Sequence, residues 1–252
     1  MLAVKKLNKI YPNGTHALKN VSFDVKKGEF LIIIGLSGSG KSTLLRCINR
    51  LIDPTSGSII FEGVEISKQE GAALRKTRSK IGMVFQNFNL IPRFSVLKNT
   101  LTGALTRTGT LASILGNFSK EDEKKARGFL KTVGLNGKER SRADNLSGGE
   151  QQRLGMARAL MQDPILLLAD EPVASLDPAT SHTVMDYLKK INKELGVTII
   201  CNLHFLSLVR EYGTKVLALK DGEIVYQGPP EAIDEKWFKT IYGEEAKEVG
   251  IN

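Results

Sequence analysis

The sequence predicts an α/β fold: a parallel sheet core, an amino-terminal antiparallel β layer and an inserted helical subdomain, all in a single unit over residues 1–252. Three observations carry this prediction. Phe30 to Ile34 is an unbroken apolar run, as suits a strand buried on both faces, and a glycine-rich loop and a helical pattern follow it at once. Further apolar runs at Ile81–Gln86, Ile165–Ala169 and Val197–Cys201 alternate with helical stretches, which implies parallel strands joined by crossovers. Between Asn87 and Gln162 the pattern turns helical, so 1–86 and 163–252 read as the core with its β layer and 87–162 as the insertion.

Taken in order, Leu2 to Leu7 and Ala17 to Val25 alternate apolar and polar residues, the period of half-exposed strands, with Pro12, Asn13 and Gly14 turning between them. Gly57 to Glu62 adds another such strand. Ile81 to Gln86 is a short apolar run that ends in an amide. In the helical block, Leu111, Ile114, Leu115 and Phe118 recur at helical spacing, a stripe that either packs on the core or docks a partner. A helix from Thr180 to Leu195 places Val184, Leu188, Ile191 and Leu195 on one buried face, and Gly196 ends it. Finally, Lys215–Leu219 and Glu223–Gln227 flank Asp221-Gly222, a hairpin signal.

The chain carries 36 Lys and Arg against 27 Asp and Glu, a net charge of +9. Such a balance draws a protein to polyanions or to an anionic leaflet, or serves only to solvate its surface. The basic residues are scattered, not clustered with aromatics, which argues against a nucleic-acid partner. Cys47 and Cys201 have neither metal-ligand spacing nor a disulfide framework, and they fit a reducing cytosol. No apolar run approaches the ~20 residues that span a bilayer, and the amino terminus lacks the apolar stretch of a signal peptide. Work at a membrane would therefore need another chain to hold this one there.

The glycine-rich loop fits G-x-x-x-x-G-K-[ST] at Gly35, Gly40, Lys41 and Ser42, with a strand before it and a helix after it. Gly35, Gly38 and Gly40 let the backbone curl until its N–H groups face an anion, and the helix start adds its dipole. Lys41 would bridge the outer phosphates of a nucleotide, and the Ser42 hydroxyl would bind Mg²⁺, an ion that takes oxygen ligands. The chain thus reads as a P-loop NTPase with a RecA-like parallel sheet core. Asp170 and Glu171 end an apolar strand, where open α/β sheets place their ligands. There Asp170 can hold Mg²⁺ through its water shell, while Glu171 can orient or deprotonate the attacking water. In Asn145 to Arg153, Ser147 and Glu150 form a capping-box pattern, and Gly148 and Gly149 leave that helix start bare. Either the helix is well capped and nothing more, or it approaches a phosphate held by another subunit.

At these residues the chain resembles the ATP-binding cassette ATPases. LSGGEQQR (146–153) resembles their signature, GLSGSGKS (35–42) their Walker A and LLLADEP (166–172) their Walker B, in the family's order. The resemblance makes Gln86 the glutamine that senses Mg²⁺ and the membrane partner, Asp177 part of the D-loop Ser175-Leu176-Asp177, and His204 the switch histidine at the γ-phosphate. It makes Tyr11 the ring that stacks on adenine. Nucleotide contacts would come from Gly35, Leu36, Ser37, Gly38, Ser39, Gly40, Lys41, Ser42 and Thr43 of one copy, and from Ser147, Gly148, Gly149, Glu150 and Asp177 of its facing twin. Lys41, Gln86, Glu171 and His204 would serve turnover, and Ser42, Gln86 and Asp170 the metal. ATP and Mg²⁺ are the implied cofactors, and a homodimer is the implied state.

A closer resemblance, in YPNGTHALKNVSF (11–23), IGMVFQNFNLIPRFSVLKNTL (81–101), TLASILGNFSKED (110–122) and CNLHFLSL (201–208), is to the ATPase subunits of bacterial phosphonate importers, with phosphite importers similar. It implies a peripheral protein on the cytoplasmic face of the cell membrane. Its partners would be integral-membrane permease subunits and, indirectly, a periplasmic or lipid-anchored solute-binding protein. The rival readings are the ATPase of another importer or of an exporter, a soluble cassette protein of DNA repair or translation, and a P-loop kinase. The short insertion argues against the soluble cassette proteins, and the signature against the kinase.

Overall fold

A computed structural model describes residues 1–109 and 116–243. The chain opens with β1 (Leu2–Ile10) and β2 (His16–Val25), an antiparallel pair in which Leu2 faces Val25 and Val4 faces Phe23. Leu2, Val4 and Leu7 are buried, so the inward phase slips by one residue; Lys6 absorbs the slip with φ +46° at a register shift. Then come β3 (Phe30–Ile34), α1 (Lys41–Ile48), β4 (Ser56–Phe61), β5 (Val64–Glu65), α2 (Gly71–Arg78) and β6 (Ile81–Val84). The helices α3 (Val96–Leu101), α4 (Lys120–Thr132) and α5 (Gly148–Leu160) stand between β6 and β7 (Leu166–Ala169). The chain closes with α6 (Pro178–Leu195), β8 (Thr198–Asn202), α7 (Leu206–Tyr212), the β9 (Lys215–Lys220) and β10 (Glu223–Gly228) hairpin, and α8 (Glu235–Tyr242).

The strands form a 4-stranded sheet, β2-β1-β4-β5, and a 6-stranded sheet, β10-β9-β3-β8-β7-β6. In the larger sheet every neighbouring pair is parallel except the β9–β10 hairpin at its edge. The all-apolar β3 lies near the middle of this sheet and feeds both cores. Phe30, Ile32 and Ile34 pack on the side that carries α5, α6 and α7, while Leu31 and Ile33 pack with α1 and the antiparallel layer. Ile33 pairs with Asn202, and Ala169 pairs with Val84 and with Cys201. The carboxyl ends of β3, β6, β7 and β8 therefore meet along one edge of the sheet, and the segments of chemical interest all leave from there.

The sequence reading of the long helix needs one correction. Leu195 is 45% exposed, whereas Val184, Leu188 and Ile191 are fully buried. The apolar period continues into the last turn, just before the left-handed Gly196, where no core surface covers it. In the helical block, Leu111, Ile114 and Leu115 lie outside the described residues, while Phe118 packs partly buried against Leu101, Ala104, Ala126 and Met161.

Candidate nucleotide site

The loop after β3 curls because its glycines have no alternative. A Cβ on Gly35 would lie 2.2 Å from the Leu219 carbonyl oxygen, and one on Gly40 would lie 2.5 Å from that of Ala17. Both residues also have φ in the left-handed half of the map, +145° and +104°. Gly40 caps α1 without a side-chain bond, which leaves the helix start open to an anion. Leu36, Ser37 and Gly38 form the exposed crest of the loop, and Ser39 is buried beneath it with no partner for its hydroxyl. Lys41 is also buried, at 4% exposure, and its Nζ donates back to the carbonyls of Gly35 (2.9 Å) and Leu36 (3.0 Å). Burial pulls the ammonium pKa below its usual value, and the charges of Glu171 and Asp170 oppose that shift.

Asp170, at 2% exposure, is the hub of the site. Its Oδ1 accepts from Ser42 Oγ at 2.7 Å and from Asn202 Nδ2 at 2.8 Å, while Arg46 Nη2 lies 3.5 Å from Oδ2. Asn202 and Arg46 escaped sequence reasoning. The available signals were a polar residue ending a buried strand and an arginine one helical turn beyond Ser42 on α1. Glu171 follows with φ +50°, and its Oε1 meets His204 Nε2 at 2.7 Å. At the loop's far side the Tyr11 hydroxyl and Thr43 Oγ1 share a hydrogen bond of 3.2 Å, and Lys9 Nζ stands 5.2 Å from the Tyr11 ring centre. Gln86 is exposed in the turn that follows β6.

The Ser147–Glu150 turn forms a complete capping box: Ser147 N–H donates to Glu150 Oε2 at 3.1 Å, and Glu150 N–H donates to Ser147 Oγ at 3.4 Å. Lys138 pairs with the Glu150 carboxylate and holds its pKa below the usual range. The side-chain bonds of Ser147 and Glu150 run to each other and to Lys138, and none reaches the loop at residues 35–43. Gly148 lies between Leu176 and the Phe88 ring. Gly149 has a second duty that the sequence did not disclose: a Cβ there would stand 2.3 Å from Thr180 Cγ2, so α5 and α6 touch through this glycine. Gly149→Ala is expected to lower stability by about 1–3 kcal/mol through overpacking. Adding Thr180→Ser, which removes the struck methyl, should recover most of the lost Tm. Asp177 caps α6 by accepting from Thr180 N–H at 3.0 Å, and that bond lowers its carboxyl pKa.

These groups fit a nucleoside triphosphate with a divalent cation. Ser42 and Asp170 are oxygen donors of the kind Mg²⁺ takes, and the buried Ser39 hydroxyl awaits a partner. Among the described residues no cluster of three or more His, Cys, Asp or Glu side chains could hold a metal.

A family model described as ABC transporter matches residues 18–174, and the chain belongs to that family. It is an ABC-type ATPase of the P-loop fold, and it binds ATP. A relative in Bdellovibrio bacteriovorus named Phosphonates import ATP-binding protein PhnC is 60% identical over 253 residues, covering 100% of this chain and 97% of its own. The protein of that name in Staphylococcus aureus is 52% identical over 251 residues, covering 98% of each. Among solved structures, the ATP-binding cassette MJ0796, a dimer in a post-hydrolysis state with ADP and Pi, matches with TM-score 0.80 at 38% identity, covering 91% of this chain and 99% of that one. The cbiO1 protein of Clostridium perfringens, part of the ABC transporter complex cbiONQ, matches with TM-score 0.81 at 34% identity, covering 95% and 92%. Among the described residues no helix is long and apolar enough to cross a membrane.

Proposed function

We propose that this chain is the ATP-hydrolysing subunit of a phosphonate importer. The observation that carries the cargo is the 60% identity, over essentially both full lengths, to a Phosphonates import ATP-binding protein. For the chemistry, the support is the meeting of Ser42, Asp170, Glu171 and His204 at one sheet edge. Residues 35–43 wrap the phosphates, Lys41 Nζ leaves its loop carbonyls for the β- and γ-phosphates, and Tyr11 stacks on adenine. Ser42, Asp170 and Gln86 would hold Mg²⁺. Bound there, the ion would offset the charge of the triphosphate. Glu171 accepts the proton of the attacking water, and His204 holds that carboxylate in place and reaches the γ-phosphate.

Ser147, Gly148, Gly149, Glu150 and Asp177 have no nucleotide partner within their own copy in this reading. They close on the nucleotide of a second copy, so ATP binding shuts the dimer and hydrolysis reopens it. The helical block at 87–162 acts as the subdomain that carries this turn. A cleft of about 880 Å³, lined among others by Arg75, Arg78, Phe85, Leu105 and Arg158, opens beside the Gln86 turn and receives the permease on the cytoplasmic side of the membrane. Cargo reaches the permease through a solute-binding protein. The test is reconstitution with the permease and solute-binding protein of a phosphonate importer from the same organism. An alkylphosphonate should stimulate ATP turnover severalfold, while an amino acid should not. Stimulation by phosphite alone would replace the cargo, and stimulation by neither phosphorus compound would overturn the reading.

A further inference from the structure

Near its carboxyl end α5 carries a guanidinium in unusual company. Arg158 donates from Nη2 to the Phe88 carbonyl at 2.9 Å and from Nη1 to the Asn89 carbonyl. No carboxylate pairs with it among the described ion pairs, and burial pulls its pKa down. Both carbonyls belong to left-handed backbone, with φ +56° at Phe88 and +51° at Asn89. Asparagine tolerates that region; a residue as bulky as phenylalanine enters it only where its surroundings hold it there. The ring of Phe88 reaches the other end of the same helix, since a Cβ on Gly148 would lie 3.9 Å from Phe88 Cζ. The residue two positions after Gln86 is thus tied to α5 by its carbonyl at Arg158, and its ring lies beside the start of the same helix.

We propose that Arg158 is a positioning residue which, by holding Phe88 and Asn89 in left-handed backbone, makes the Gln86 turn and the Ser147–Gly149 turn move as one body. Gln86 then meets a nucleotide in its own copy only when the turn that serves the facing copy is also in place. Arg158 itself touches no reacting atom. Removing it uncouples the two turns and leaves the phosphate loop intact. This rests on the reading of Gln86 and the capping turn as parts of one two-copy clamp.

The test compares ATP binding and steady-state ATP turnover of the full chain with those of Arg158→Met, whose side chain is of similar reach without donors. The expected result is a fall of about tenfold or more in kcat with the Kd for ATP within about twofold of the parent. Tm measured on each protein separates this from damage to the fold, which would lower Tm and ATP affinity together. Arg158→Lys keeps the charge and one of the two contacts, and should fall between parent and Met variant; it replaces the Met variant if that one does not fold. Parental kcat in Arg158→Met or Arg158→Lys overturns the proposal, as does a Kd for ATP that rises in step with the loss of kcat. Gln86→Ala separates the two levels. If it leaves turnover unchanged the clamp reading itself fails, whereas a loss in Gln86→Ala beside parental turnover in the Arg158 variants removes this inference alone.

Discussion

Glu171→Gln is expected to bind ATP, to lose nearly all turnover and to accumulate as a nucleotide-bound dimer. Gln keeps the size and the hydrogen-bonding oxygen of Glu171, so the 2.7 Å contact with His204 Nε2 can survive when that nitrogen carries a proton. What disappears is the ability to take a proton from water. General-base catalysis contributes about 10²–10⁴ in rate, and a loss of that size should appear in kcat with KM little changed. Glu171 has left-handed backbone, φ +50°, and its carboxylate bonds His204, whereas the Ser42 and Asn202 contacts run to Asp170. An amide there leaves the Ser42–Asp170 contact intact, so Mg²⁺-dependent ATP affinity should hold. Phosphate release measured against time gives the first readout, and size-exclusion chromatography with and without ATP gives the second. Turnover at the parental rate would remove Glu171 from the proton path.

Lys41→Ala should act one step earlier. A charge-assisted hydrogen bond contributes about 1.5–3 kcal/mol, so ATP affinity should fall by about 10- to 150-fold and turnover with it. Lys41 also satisfies the carbonyls of Gly35 and Leu36, and without its ammonium the folded loop loses both bonds. A modest drop in nucleotide-free Tm is therefore expected along with the binding defect. The two effects separate cleanly in one experiment, because ligand binding stabilises by RT ln(1 + [L]/Kd). The parent should gain Tm steeply with ATP, while Lys41→Ala should gain little at the same concentrations. An undiminished ATP-induced rise would refute the role given to Lys41.

Much of this architecture is written locally in the chain. Phe30 to Ile34 is apolar without a break because β3 is covered on both faces, and Gly35, Gly38 and Gly40 stand where the loop after it takes positive φ. The capping box at Ser147 and Glu150 could be read from spacing alone because both partners lie within one turn of helix. Features that depend on contacts distant in sequence could not be read so. Asn202 reaches Asp170 from the neighbouring strand, 32 residues away in the chain, and Gly149 is required by Thr180 on another helix. Leu195 has the period of a core residue, yet periodicity does not say where the supporting surface ends. The slip at Lys6 likewise shows only in pairing, since alternation alone would have turned that lysine inward. Arg158 reads in sequence as one more helical arginine, and only its contacts with the Gln86 turn distinguish it.

The two cysteines of this chain carry a practical consequence. Cys47 and Cys201 are both free and fully buried, and burial raises the Cys47 thiol to about 11 and pushes the Cys201 thiol well above its usual range. Reaction with alkylating reagents needs an accessible thiolate, so the folded chain should behave toward them as if it had none. A cysteine introduced beside Ser147 and another beside Leu36 would then be the sole reactive pair, and cross-linking would report whether two copies stand face to face without any native residue being deleted.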